Sequence, residues 1–249
     1  MSKQRGSQSK RQTIREKRRQ EQRKQRITMI LVIAGVALVL AALLIAPSIR
    51  NALTPTGNIV QITPQNRPMV KGTAMGDPNA PVKIDVWEDF QCPACQYYTE
   101  NVEPRVVENY VATGKVYYVF HQFPFIDDNV PGKESDQAAN ASMCAADQGR
   151  FWDYHDILFK NQAGENKGAF SNKRLVAFAE ALNLDMNQFN TCFDSNAHNE
   201  EIQADLVEGR NVGVQGTPSV FINGQLLTPG QIPSYQDVSN AVEAALAGQ

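Results

Sequence analysis

The chain has 249 residues, a hydrophobic fraction of 42% and a formal net charge of −2 at pH 7, which suit a globular protein of one good-sized domain with additional segments. The near-zero net charge hides a segregation: residues 1–26 hold eleven Lys/Arg against two Glu, whereas from Ser48 onward 13 Lys/Arg face 24 Asp/Glu. This excludes a single domain of evenly mixed charge, because the basic N-terminal segment and the acidic remainder form two separate parts of the chain.

An apolar run, "ITMILVIAGVALVLAALLIAP", follows the basic head at residues 27–47 and has Thr28 as its single polar residue. About 20 such residues match the bilayer core at ~1.5 Å of rise each, and the run exceeds the roughly 7–15 apolar residues of a cleavable signal peptide. We therefore expect an uncleaved transmembrane anchor. A lipid bilayer is then a partner through residues 27–47.

The basic head at residues 1–26 admits two interpretations, nucleic-acid binding or a cytoplasmic flank of the anchor. It contains no interleaved aromatic residues for base stacking, and it directly abuts the apolar run. The positive-inside rule therefore favours a cytoplasmic tail with no nucleic-acid partner. We expect a single-pass protein of the cell membrane whose body lies outside the cytoplasm, where disulfides persist.

Residues 48–68 are rich in Pro, with Gly, Thr and Asn, and show no periodicity, which predicts a semi-extended linker. Folded sequence is expected from Met69. "APVKIDVWEDF" at residues 80–90 predicts a buried strand, and "KVYYVFHQF" at residues 115–123 predicts a second. The helical pattern between them ends at Gly114 and carries a kink-forming Pro104, so a βαβ unit with a parallel pair is expected.

From about residue 133 to residue 209 the spacing of apolar residues predicts a block of helices. "TPSVFING" then predicts a strand ended by an Asn-Gly turn, with "QLLTPG" as its hairpin partner and a last helix after it. Ser171 and Asp185 are expected helix N-caps. The predicted helical segments are residues 134–148, 150–162, 171–183, 185–195, 199–211 and 234–247.

Cys92-Pro93-Ala94-Cys95 stands directly after the first strand and opens a helix. A helix N-terminus stabilises a thiolate through its dipole and its unpaired N–H groups, so Cys92 is expected to have a lowered pKa. Alone, C-x-x-C also fits half of a zinc site or a structural disulfide. A zinc site needs a second pair at suitable spacing, which the two other cysteines do not provide, so no metal is expected.

Gly216-Thr217-Pro218 precedes the predicted strand "SVFI". Proline has no backbone N–H to donate to the hydrogen bonds of a central strand. This motif therefore marks either the start of the strand or a cis Thr-Pro bond at the end of a loop. The order of motifs, a strand, CPAC at a helix start, a helical block and "VQGTPSVFING", favours the cis bond.

Over about residues 69–249 this order resembles the DsbA-type thiol–disulfide oxidoreductases of the thioredoxin superfamily, and most of all their membrane-anchored, extracytoplasmic group with "EDFQCPAC" and "GTP". The resemblance implies an α/β thioredoxin fold with a helical insertion at about residues 127–211, preceded by a single transmembrane helix. It also implies that Thr217 and cis-Pro218 pack beside Cys92 and Cys95 and hold the substrate's strand by backbone pairing.

The mechanism implied by the resemblance uses Cys92 as the exposed sulfur and Cys95 as the buried one. A substrate thiolate attacks Cys92, and the substrate's second thiol resolves the mixed disulfide. No cofactor is implied. The partners are exported proteins with cysteine thiols and a membrane reoxidase of the quinone-linked DsbB or VKOR kind. Some members carry His where this chain has Ala94, so how oxidising the pair is stays open.

Two further features of the family are carried over to this chain. Some members have a second disulfide, which here joins Cys144 and Cys192; the alternative is two free, buried cysteines. In the family, a buried acid often assists proton transfer from the second cysteine. Asp85 and Glu88 are the candidates for this acid in the present chain. The alternative is that each of them is a solvated carboxylate at the end of a strand.

Three functions fit the sequence. The first, which we favour, is an oxidase that introduces disulfides into exported proteins. The second is a reductase or isomerase on the same fold, although residues 48–68 are too short for the dimerisation module that isomerases of this kind usually need. The third is a non-enzymatic chaperone or binding module with a structural Cys92–Cys95 disulfide, and a C-x-x-C at a helix start accompanied by Thr-Pro argues against it.

Overall fold

The structure is a computed structural model that describes residues 23–24, 26, 28–36, 38–39, 41, 56–129 and 132–248. The described residues between 23 and 41 are helical, and none of the helices among the described residues is long and apolar enough to cross a membrane. Part of the predicted anchor at residues 27–47, most of the basic tail and residues 48–55 lie outside the described residues. The chain divides between Pro55 and Thr56 into two compact units, and the second holds the fold described below.

A mixed five-stranded sheet runs through the described part of the second unit, in the order β1-β3-β2-β4-β5. β2 and β3 are parallel and in register from Val82 opposite Val116, as the predicted βαβ unit requires. The other three pairings are antiparallel. The strands are β1 Ala74–Met75, β2 Val82–Glu88, β3 Val116–Gln122, β4 Ser219–Ile222 and β5 Gln225–Leu227.

The central strand β2 has the sequence VKIDVWE and is buried on both faces except at Lys83. Val82, Ile84 and Val86 have no exposed surface, which explains why the strand reads as a nearly continuous apolar run. The predicted hairpin is also confirmed, because Asn223 and Gly224 adopt the positive φ values of 46° and 79° that an Asn-Gly turn favours.

The helical stretch between β2 and β3 is broken, as Pro104 predicts. Helix α1 covers Pro93–Asn101 and helix α2 covers Glu103–Val106, with Val102 between them at φ −114° and ψ −56°. Proline has no N–H to donate to the preceding turn, so the α-helical ladder is interrupted here. A π-helical turn, Val107–Val111, follows, and the chain turns toward β3 at Gly114, whose φ is +73°.

The helical insertion occupies the connection between β3 and β4, and all five helices predicted there are present. Asp185 caps its helix by accepting hydrogen bonds from the N–H groups of Asn187 and Gln188, whereas Ser171 stands at an N-cap without a side-chain bond. The short first helix was not predicted. The helices are α3 Ile126–Asn129, α4 Glu134–Ala146, α5 Phe151–Lys160, α6 Asn172–Ala181, α7 Met186–Asp194 and α8 Asn199–Asn211, and the last helix of the domain is α9 Tyr235–Ala247.

The insertion and the sheet share one hydrophobic core. Phe120 of β3 packs edge-on against Phe151 and Trp152 of α5, with ring centroids 5.2 and 6.3 Å apart. Because these rings are almost fully buried, α5 is fixed against the face of the sheet that also carries Glu88 at the end of β2. The insertion thus forms one wall of the region below α1.

Residues 56–68 differ from the expected linker, since they lie against the folded domain. The backbone N–H and C=O of Val60 are both hydrogen-bonded by the side chain of Asn161, at 2.7 and 2.9 Å. Ile59 and Ile62 pack on the core, and Arg67 is buried in it. The Pro- and Gly-rich composition gave no sign that these residues are docked on the domain.

Candidate active site

Cys92 and Cys95 lie at the start of α1, where the sequence placed them. Cys92 is the N-cap residue and Pro93 the first helical residue, a position that suits proline because the N–H it lacks is one without an intrahelical partner. Both cysteines are free thiols, so this is the reduced pair. Cys92 keeps 8% of its surface exposed and Cys95 none, the order of access expected for an attacked sulfur and a buried one.

Thr217 and Pro218 lie beside this pair. The Thr217–Pro218 peptide bond is cis, and the Sγ of Cys92 donates to the carbonyl oxygen of Thr217 at 3.3 Å. Two motifs separated by more than 120 residues thus form one site. Next to it is a cleft of about 480 Å³ lined entirely by uncharged residues: Ala94, Gly213, Gln215, Gly216, Thr217, Pro218, Ser219, Leu226, Pro229, Gly230, Gln231 and Ile232.

The pKa values of the two thiols are shifted in opposite directions. A hydrogen bond from the Cys95 thiol is the largest influence lowering the pKa of Cys92; with Thr217 and the N–H groups of Ala94 and Cys95 it outweighs burial and brings this pKa to about 6. Burial raises the pKa of Cys95 well above its ordinary value, and its bond to Cys92 and the charge of Glu88 add to the rise. In the reduced pair the negative charge therefore belongs on Cys92 and the proton on Cys95.

Of the two candidate acids, Glu88 is the one below the cysteines. It is completely buried, hydrogen-bonds with the Cys95 thiol and accepts a hydrogen bond from the Thr99 hydroxyl at 3.5 Å. Burial, the charge of Glu103 and the charge of Cys92 raise the pKa of Glu88 well above its ordinary value. A carboxyl group whose pKa is raised next to Cys95 is suited to exchange a proton with that sulfur.

Asp85 has other partners. One of its carboxylate oxygens is 2.8 Å from His121 Nε2 and 2.7 Å from Lys83 Nζ. His121 in turn stacks on Trp87, and its contacts with Asp205 and Asp85 raise its pKa to about 9 against the effect of burial. Asp85 and His121 thus form an ion pair that packs the side of the sheet away from Glu88, since residues 85 and 88 alternate along β2.

Asp89 is a site residue that the sequence reasoning missed. Its Oδ1 accepts from the Gln91 N–H at 2.9 Å and the Ser135 hydroxyl at 2.7 Å, and its Oδ2 accepts from the Ile126 N–H at 3.1 Å. Its backbone carbonyl also accepts from the N–H of Cys92 at 3.0 Å. Asp89 thus fixes the turn between β2 and α1. An Asp two residues before the first bonded N–H is the pattern of an Asx-turn, and this was the available signal.

Two glutamines tie the same turn to the helical insertion. Gln91 donates to Ser135 at 2.8 Å and to Asp127 at 3.1 Å, and its oxygen accepts from the Asn166 N–H. Gln162 donates to the backbone oxygens of Phe90 and Cys92, at 2.7 and 3.0 Å. The position of Cys92 therefore depends on α4 and on the end of α5, which lie far from it in sequence.

The other two cysteines are joined in a disulfide, Cys144–Cys192, which links α4 to α7 within the insertion. Their sulfurs are therefore not free to ligate a metal together with the nearby His198. A second group that could surround an ion, Glu103, His155 and Asp156, already holds the guanidinium of Arg67 between its carboxylates.

Comparison with known proteins agrees with this geometry. The sequence model of the family described as Thioredoxin matches residues 69–244. The chain is 31% identical over 177 residues to the probable disulfide bond formation protein D of Bacillus anthracis, covering 70% of this chain and 77% of that protein. It is 23% identical over 187 residues to disulfide bond formation protein D of Bacillus subtilis, covering 74% and 81%.

Solved structures agree at the level of the fold. Oxidised BdbD from Bacillus subtilis superposes with a TM-score of 0.64 at 22% identity, over 73% of this chain and 97% of that one. Alpha-DsbA1 from Wolbachia pipientis gives 0.61 at 22% identity, over 73% and 94%. The resemblance noted in the sequence is thereby confirmed for the folded domain: the chain belongs to the thioredoxin family and, within it, to the DsbA-like protein thiol–disulfide oxidoreductases.

Proposed function

We propose that this chain is an oxidase, anchored in the cell membrane, that donates the Cys92–Cys95 disulfide to exported proteins. The proposal rests on the opposite pKa shifts of the two thiols: the pKa of Cys92 is lowered to about 6, and the pKa of Cys95 is raised. A stabilised Cys92 thiolate lowers the free energy of the reduced enzyme. A disulfide whose reduced form is stabilised is a better oxidant.

The reaction we propose moves two electrons from a substrate dithiol to the enzyme. A substrate thiolate attacks Cys92 Sγ, the Cys92–Cys95 bond breaks, and Cys95 leaves with the electron pair and takes the proton of Glu88. The substrate's second thiol then loses its proton to water, and the resulting thiolate attacks the substrate sulfur of the mixed disulfide. Cys92 departs as a thiolate, which needs no proton because its pKa lies below neutrality.

The uncharged cleft next to Thr217 is proposed to receive the substrate's chain. Gly213, Gly216 and Gly230 contribute to its lining, and beside Gly216 there is open space where a Cβ would stand. Exposed backbone in such a cleft suits pairing with an extended peptide, which depends little on the peptide's side chains. A cleft without charge also accepts cysteine-containing segments of many sequences, as a general oxidase requires.

Membrane attachment through residues 27–47 and an extracytoplasmic domain rest on the apolar run and on the eleven Lys/Arg before it. Each turnover leaves two electrons on the cysteine pair, so the cycle also needs an oxidant, which we assign to a membrane reoxidase of the DsbB or VKOR type. The name of the Bacillus anthracis relative, a probable disulfide bond formation protein, supports the oxidising direction.

Trapping of the full chain in cells tests the direction of the reaction. Cys95→Ala removes the thiol that can release a mixed disulfide in the reverse direction, so complexes in which an oxidant of the compartment has joined Cys92 to a thiol of a newly exported protein are expected to accumulate, and Cys92→Ala serves as the matched control that forms none. In the unmodified protein, acid quenching followed by alkylation is expected to find the pair mostly oxidised. A pair that is mostly reduced at steady state would identify a reductase instead.

Fractionation of the same cells tests the location. The full chain is expected to stay with the membrane after an alkaline wash, and external protease added to spheroplasts is expected to remove the domain. A domain protected from external protease, or a chain released by the wash, contradicts this part of the proposal.

A further inference from the structure

The segment before β1 is fastened to the helical insertion. We call residues 56–67 the strap. Near its start, the guanidinium of Arg174 on α6 donates to the backbone oxygen of Thr56. Near its middle, the Asn161 side chain holds both backbone groups of Val60, accepting from the N–H at 2.7 Å and donating to the C=O at 2.9 Å. The strap is therefore attached to the insertion at two separate places along its irregular backbone.

A buried ion pair fastens the end of the strap. The guanidinium of Arg67 is 2.8 Å from Glu103 Oε1 on α2 and 2.8 and 2.9 Å from the two oxygens of Asp156 on α5. The side chains of Arg67 and Glu103 are 2% and 0% exposed, and a buried charge is costly to leave without its partner. The strap thus joins α2 to α5. It precedes residues 69–244, which match the family model, so it is a feature that the match does not cover.

The residue after Asn161 reaches the active site. Gln162 Nε2 donates to the backbone oxygen of Phe90 at 2.7 Å and to that of Cys92 at 3.0 Å. Asn161 and Gln162 directly follow the last residue of α5, Lys160. Two neighbouring residues at one helix end therefore bind the strap and the active-site turn, respectively.

A bond in the opposite direction joins the same two helix ends. Gln96 on α1 donates from its side chain to the backbone oxygen of Phe159 on α5 at 2.8 Å, and its N–H donates to the backbone oxygen of Cys92 at 3.1 Å. The first turn of α1 and the end of α5 are thus tied by side-chain bonds from both sides. A displacement of the end of α5 would therefore disturb the backbone that carries Cys92.

We propose that the strap is a positioning device for the active site: through Asn161 it fixes the end of α5, so that Gln162 reaches the backbone turn that carries Cys92. Gln162 is a positioning residue, because it contacts this turn and not the reacting sulfur. With the turn fixed, the N–H groups of Ala94 and Cys95 stay directed at Cys92, and these groups are among the influences that lower its pKa. The same thiolate forms whether substrates are oxidised or reduced, so the strap serves either direction of the reaction.

Two substitutions of Val60 test this in the reduced full chain in detergent. Val60→Pro removes the N–H that donates to Asn161, whereas Val60→Ala, the matched control, keeps both backbone groups. The Val60 side chain is 49% exposed, so neither change empties the core. The rate of alkylation by iodoacetamide against pH gives the pKa of Cys92. Val60→Pro is expected to raise this pKa by roughly half a unit to one unit, and Val60→Ala is expected to leave it near 6.

A double variant shows whether the strap acts through Gln162. Gln162→Ala alone is expected to raise the pKa of Cys92, and adding Val60→Pro to it is expected to cause no further rise. Shifts that add in the double variant overturn the inference. So does a Gln162→Ala chain whose Cys92 pKa stays near 6, and so does a Val60→Pro profile that matches the Val60→Ala profile.

Circular dichroism and denaturant titration of the Val60→Pro chain come first, because they separate positioning from stability. A strap that only stabilises the fold predicts a lower free energy of unfolding with an unchanged Cys92 pKa, and this result contradicts the proposal. Should the Val60→Pro chain not fold, Asn161→Ala replaces it, since it removes the same two bonds from the other side. The same rise in the pKa of Cys92 is then expected, and its absence overturns the inference.

Discussion

The hydrogen bond between the two cysteines allows the site to be tested by one pair of substitutions. The Cys95 thiol donates to Cys92, and this contact is the largest influence lowering the pKa of Cys92. Cys95→Ala removes the donor, whereas Cys95→Ser keeps an O–H donor at the same place. Because both variants lack the second sulfur, a comparison between them isolates the hydrogen bond from the redox reaction.

The size of the effect follows from the charge of the acceptor. A hydrogen bond to a charged group is worth about 1.5–3 kcal/mol, and a pKa difference of one unit corresponds to about 1.4 kcal/mol. Cys92 is 8% exposed, so water replaces little of the lost bond. In Cys95→Ala the pKa of Cys92 is therefore expected to rise from about 6 by roughly 1–2 units, and in Cys95→Ser it is expected to stay near 6.

Two readouts on the full chain in detergent measure this shift. The ultraviolet absorbance of the thiolate reports the ionised fraction of Cys92 against pH. The rate of alkylation by iodoacetamide reports the same titration independently, and Cys92→Ala provides the blank. Both readouts exclude the remaining cysteines, since Cys144 and Cys192 are bonded to each other.

A Cys92 pKa that stays near 6 in both the Cys95→Ala and the Cys95→Ser variant would refute the reasoning. The lowered pKa would then come from Thr217 and the N–H groups at the start of α1, which both variants retain. A rise in both variants would instead show that serine does not reproduce the donor geometry of the thiol, and the alanine variant alone would then carry the measurement.

Three further predictions concern stability, each read from denaturant titrations. Replacing both Cys144 and Cys192 by Ala opens a loop of 48 residues and is expected to lower the free energy of unfolding by about 4 kcal/mol without changing the rate of thiol exchange. Gly209→Ala places a Cβ 2.8 Å from the ring of Phe123, so a loss of about 1–3 kcal/mol is expected. Burial raises the pKa of Asp89 from 3.8 to about 7, so the unmodified protein should lose stability as pH rises through that interval, and Asp89→Asn should remove this loss.

The parts of the fold that depend on local sequence were predictable. Pro104 breaks a helix wherever it falls inside one, and Asn223-Gly224 favours the turn that it forms. The apolar run of β2 and the helical spacings of the insertion reflect burial of whole faces, which a sequence pattern records. CPAC at a helix start and the Thr217-Pro218 pair became informative together, because their order along the chain matched a family.

The contacts between distant segments were not predictable in this way. Nothing in the sequence near Arg67 indicates that it crosses to Glu103 and Asp156, since a single Arg in an irregular segment has no periodicity. The choice between Asp85 and Glu88 likewise needed the three-dimensional structure. Asp85 stands between Ile84 and Val86, and Glu88 ends β2 after Trp87. The face that meets Cys95 is decided by which side of the sheet α1 covers.

The structure also bears on the absence of an imidazole at Ala94. The influences that lower the pKa of Cys92 come from a neutral thiol, from the side chain of Thr217 and from backbone N–H groups, so they are not lost when a neighbouring imidazolium titrates. A shift from 9.0 to about 6 stabilises the reduced pair at pH 7 by ~1.4 kcal/mol, which adds about 30 mV to the potential of a two-electron couple. The stabilisation that comes from this lowered pKa is complete only when the pH lies above the ordinary pKa of the thiol, and it disappears as the pH falls through about 6. The pair therefore gains oxidising power from this source in neutral and alkaline surroundings, and any further gain must come from the Cys95 side of the site, where Glu88 is buried.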